Sequence, residues 1–73
     1  MAEERDGLLA KASKHAAEAR ARVARQHERV ARLRASGCCT LGAEDMLQLF
    51  SRNLAIHEQQ ERQLRADQRY NRK

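Results

Sequence analysis

Along almost the whole chain, small and apolar residues recur at alternating spacings of three and four, and the pattern breaks only once, at Ser36–Thr40. Before the break the series runs Leu9, Ala12, Ala16, Ala19, Val23, Gln26, Val30 and Leu33. After it comes Ala43, then Leu47, Phe50, Leu54, His57, Glu61 and Leu64. An α-helix turns once every ~3.6 residues, so each series falls on one face, and heptads sustained this long mark helices packed on helices. Nothing in the composition competes: proline is absent from the 73 residues, and the aromatics are Phe50 and Tyr70 alone. We expect an all-α, coiled-coil-like antiparallel hairpin forming one domain over 1–73. Helix 1 is placed at about 3–36, the turn at 37–40 and helix 2 at about 41–70.

The break has its own chemistry. Gly37 can take the left-handed conformation that closes a helix without a Cβ penalty. Thr40 suits the N-cap of the second helix, with Glu44 and Asp45 supplying negative charge near its start. So short a connection forces the helices antiparallel. Folding at this turn is expected to set Leu33 against Leu47, Val30 against Phe50, Val23 against His57 and Ala16 against Leu64. Packing is expected to be firmest toward the turn, where the side chains are larger. Cys38 and Cys39 are adjacent, so together they close no useful loop, and they lack the spacing of a redox pair or the ligand count of a metal site. They read as free thiols, one tucked under the turn and one exposed.

A chain this short buries little apolar surface by itself. Beside the second seam lies another stripe, Met46, Leu49 and Ile56, interrupted by Asn53 and Gln60. Together the two stripes exceed the ~100° face that one neighbouring helix covers. We therefore expect a homodimer through Met46, Leu49 and Ile56, two hairpins forming a four-helix bundle. On helix 1, Ala10, Ala17, Ala24 and Ala31 repeat every seven residues. They either admit another helix closely or simply fill the surface of a good helix former.

Fifteen Lys and Arg stand against ten Asp and Glu, a net charge of +5. Arg22, Arg25, Arg29 and Arg32 form a continuous ridge that could track phosphates. Two observations favour a solvated, self-paired face instead. Glu18 and Glu28 sit four residues before Arg22 and Arg32, and almost no aromatics are interleaved for base stacking. Membrane-surface binding is the weakest reading, since the basic helix lacks bulky anchors.

His15, His27 and His57 do not assemble a site. Glu61 stands where a zinc-protease motif would place its second histidine after His57, and Leu54 and Ala24 replace the glutamates of a di-iron bundle site. A buried polar layer of Gln26, His57 and Glu61 is expected to fix helix register. No catalytic residues, cofactor, metal or small-molecule substrate are expected, so the chain reads as a non-enzyme. The acidic start lacks the order of a secretory signal, and no apolar run approaches a membrane span, which points to a soluble cytoplasmic protein.

Arg25-Gln26, Val30, Leu33, Gly37, Thr40, Ala43-Glu44, Leu47, Phe50, Leu54, His57 and Leu64 together resemble the pattern of short, mostly uncharacterised helical-hairpin proteins of alphaproteobacteria. Cys38-Cys39 replace the polar residue usual between the glycine and the threonine. The resemblance implies a bacterial cytoplasmic hairpin and implies no activity. The expected function is a homodimeric interaction or scaffold module with an unidentified protein partner. The alternative is a small RNA- or DNA-binding regulator using the ridge.

Overall fold

The computed structural model describes residues 2–70, and within them the side chains of residues 7–67. Two helices, α1 (Ala2–Ala35) and α2 (Leu41–Tyr70), pack side by side as an antiparallel hairpin measuring 57 × 14 × 13 Å. No strand is present among the described residues.

The turn is built from backbone hydrogen bonds. Gly37 has φ 75°. The Cys38 N–H donates to the Leu33 carbonyl at 2.9 Å, and the Gly37 N–H donates to the Arg34 carbonyl at 3.1 Å. Those two bonds define a Schellman closure, which satisfies carbonyls that the end of α1 would otherwise leave open. Thr40 stands at the N-cap of α2, its carbonyl accepting the first helical bond from Glu44 N–H at 2.8 Å. An Arg34–Glu44 ion pair spans the turn from the last turn of α1 to the first of α2. Cys38 and Cys39 are both exposed, so neither thiol is tucked beneath the turn. The reason is geometric: the Schellman closure ends α1 before Cys38, which leaves both cysteines at the apex beyond the helix contact.

Space around Gly37 is open, so an added methyl group meets nothing and the strain of Gly37→Ala is purely conformational. That substitution is expected to destabilise the hairpin by about 1 kcal/mol, the cost of a left-handed non-glycine residue. Gly42→Ala is expected to have the opposite sign and about the same size. Gly42 is helical, with open space around it, and alanine is the better helix former. Urea denaturation of the two variants measures both.

Every residue of the α1 seam is buried or half-buried, from Leu9 to Leu33. The deepest is Ala16, 1% exposed, with Ala12, Ala19, Val30 and Gln26 also buried. Burial does not rise steadily toward the turn: Ala12, Ala16 and Ala19 are as well covered as Gln26 and Val30, whereas Leu33, Leu47 and Phe50 stay partly exposed on a structure only two helices thick.

The register differs from the expected pairing by about one and a half helical turns. The His57 ring lies against His15, with centroids 5.7 Å apart, and the Ser13 hydroxyl donates to Glu61 at 2.6 Å. The expected pairing was centred on Thr40. The Schellman closure reverses the chain earlier, at Gly37–Cys38, and slides each α2 residue toward the N-terminal end of α1. The Gln26 amide, near the turn end of this contact, donates to the Ala43 carbonyl at 2.8 Å and ties the start of α2 to α1.

Candidate interaction surfaces

The hairpin leaves an apolar stripe of α2 exposed. Leu49 is 57% exposed, Ile56 56% and Met46 44%, although all three are large hydrophobic residues. Leu49 and Ile56 are seven residues apart, two helical turns, so they line up along one stripe.

The two flanks of α1 carry positive charge differently. On one flank Arg20 pairs with Glu58 at 3.1 Å and Arg34 pairs with Glu44, so cations of α1 meet acids of α2. On the other flank Arg22, Arg25, Arg29 and Arg32 are exposed, and among the described residues none of them forms an ion pair. The expected intrahelical pairs Glu18–Arg22 and Glu28–Arg32 do not form, so the ridge is not self-paired. Helical geometry extends it further: Lys11, Glu18, Arg25 and Arg32 repeat at sevens, and Lys14 stands on the neighbouring line, which also carries Glu28. Lys11 and Lys14, both exposed, were missed because only the arginines at three–four spacing stood out. Stepping back from Arg25 by sevens finds Lys11, and Lys14 follows one turn after it.

Gln26, His57 and Glu61 all face the helix contact, but each is engaged at a different level. Gln26 bonds Ala43, Glu61 accepts from Ser13 and from Arg65 at 3.3 Å, and His57 meets His15. No hydrogen bond joins the three to one another among the described residues. His57 has a buried Nδ1 without a hydrogen-bond partner, the kind of group that costs about 1–3 kcal/mol when left unmade. Beside it is a hollow of about 270 Å³ lined by His15, Glu18, Ala19, Arg22, Asn53 and His57. His57→Phe keeps a ring against His15, has that hollow to grow into and removes the unpaired nitrogen. We expect it to stabilise the chain by about 1 kcal/mol in a urea titration.

Among the described residues no group of three or more His, Cys, Asp or Glu is placed to hold a metal ion, and no helix is long and apolar enough to cross a membrane. Compared with protein-family models, curated proteins and solved structures, the chain matches none.

Proposed function

We propose that this chain is a non-enzymatic helical interaction module that works as a homodimer, two hairpins joining through Met46, Leu49 and Ile56 into a four-helix bundle. The observation that carries the reading is the exposed apolar stripe on α2, which α1 leaves uncovered. Surface area points the same way. A folded monomer of 8.4 kDa exposes about 4,600 Å², whereas this hairpin exposes 6022 Å². The excess, about 1,400 Å², is more than the ~800 Å² that one partner contributes to a standard interface.

In such a bundle the stripe of each copy covers the other, and the remaining helix faces are presented along a rigid rod. That suits a scaffold whose partner is another protein. A bacterial cytoplasm, the setting implied by the resemblance to alphaproteobacterial hairpins, also suits two exposed thiols, which a reducing compartment keeps free. Light scattering at tens of micromolar tests the assembly. A mass twice that of the chain is expected, and a monomeric mass overturns the proposal.

A further inference from the structure

We propose that the groove between α1 and α2 is a docking site for an acidic amphipathic helix of a partner protein. This rests on the reading of the chain as an interaction module and names the chemistry of its partner. Leu49 and Ile56 line none of the hollows of this groove and stay with the second copy, while Met46 borders both surfaces.

Three hollows, of about 410, 270 and 350 Å³, follow one another along the hairpin, and each is walled by both helices. Lys11 faces Gln60 across the first, Arg22 faces Asn53 across the second and Arg29 faces Met46 across the third. Lys11, Arg22 and Arg29 are close to whole turns apart on α1, so all three hollows lie on one side of the hairpin. The end hollows are largely apolar. Leu8, Ala12 and Leu64 line the first, and Leu33, Ala43 and Phe50 line the third. The middle one is polar, with His15, Glu18 and His57 in its wall. From Lys11 to Arg29 is about 27 Å along α1, or five turns. A helix laid in the groove therefore reaches both apolar hollows with side chains about five turns apart on one face.

Charge selects the sign of the partner. The α1 rim carries Lys11, Arg22 and Arg29, all exposed, and among the described residues none of them forms an ion pair. Between Lys11 and Arg29 the rim holds one acid, Glu18, and the α2 rim of Met46, Asn53 and Gln60 is uncharged. Glutamates along the flank of a bound helix that faces α1 would pair with the three cations, while its apolar face fills the end hollows. Other occupants match only half of that pattern. A flat lipid surface meets the rims and does not enter hollows recessed between helices. Nucleic acid pairs with the cations and leaves the apolar hollows unfilled. A second copy carries a net charge of +5 itself, which opposes its entry beside the cationic rim.

A displayed library of helical peptides, each long enough to span both end hollows and varied at every surface position, supplies the probe. Selected binders are expected to carry net negative charge and apolar residues about five turns apart. The strongest of them, labelled and followed by fluorescence anisotropy, is expected to bind Arg22→Glu with Arg29→Glu at least about 100-fold more weakly than the parent. Leu8→Ser is expected to cost about tenfold. Arg25→Glu with Arg32→Glu makes the same charge change at positions that line none of the hollows, and is expected to cost no more than about fivefold at physiological salt. Circular dichroism on each variant reports that the exposed substitutions leave the helices intact. The docking site is overturned if no binder is selected, if the binders lack net negative charge, or if the two double variants weaken binding equally. It is overturned too if phosphatidylglycerol vesicles compete for the chain as well as the unlabelled peptide does. Light scattering on the same samples keeps the two readings apart. A dimer that persists through any of these failures leaves the dimer reading standing, and a monomer that binds the peptide overturns the dimer alone.

Discussion

Replacing Leu49 and Ile56 together by glutamate is expected to leave the chain monomeric and largely unfolded at concentrations where the parent is a folded dimer. Within one hairpin the exchange removes little, because both side chains already face solvent and glutamate is at least as good a helix former as isoleucine. A monomeric hairpin would tolerate it. In a two-fold bundle each substitution counts twice, so the remaining burial of four side chains is lost, about 1–2 kcal/mol each because a little over half of each is exposed in the hairpin. The dimer then loses at least about 4 kcal/mol, roughly three decades in dissociation constant. Thermal unfolding at two concentrations, with light scattering alongside, separates the cases. The parent is expected to melt higher when more concentrated, and the double variant to melt low at both concentrations. A variant that melts with the parent would show that Leu49 and Ile56 cover nothing.

The helical faces were legible from sequence because burial in a helix follows its 3.6-residue turn. Leu9 through Leu33 needed no tertiary information to be placed on one side. Gly37 was legible for a different reason: among the residues at the break it is the one that takes a positive φ without strain. Register was not legible, since it depends on where the chain reverses. A Schellman closure at Gly37–Cys38 and a turn centred on Thr40 give pairings about one and a half turns apart while burying the same seam. The charge partners were hidden for an energetic reason. Exposed pairs such as Glu18–Arg22 differ from alternatives such as Arg20–Glu58 by only a few tenths of a kcal/mol. Spacing alone therefore could not say which arginines would be occupied. That choice became visible only with α2 in place, and it is what leaves Arg22, Arg25, Arg29 and Arg32 unpaired.

Ala16→Leu is expected to destabilise the hairpin by about 3 kcal/mol, toward the upper end for overpacking. Ala16 is 1% exposed, the most deeply buried of the core residues. Along α1 it lies between Ser13, whose hydroxyl bonds Glu61 at 2.6 Å, and Arg20, which pairs with Glu58 at 3.1 Å. Both links hold α2 close, so an isobutyl group at Ala16 can be accommodated only by separating the helices and stretching them. In a large core neighbouring side chains would share the displacement. Here the core is one side chain deep between two helices, so the whole contact shifts. Ala17→Leu is the control: the same chemical change one residue along, at an exposed position, is expected to alter hairpin stability by no more than about 0.5 kcal/mol. Urea midpoints for the two variants give the comparison directly. Equal midpoints would mean that the alanine seam does not set the helix separation. A large loss at Ala17 as well would place the Ala10–Ala31 row inside an interface.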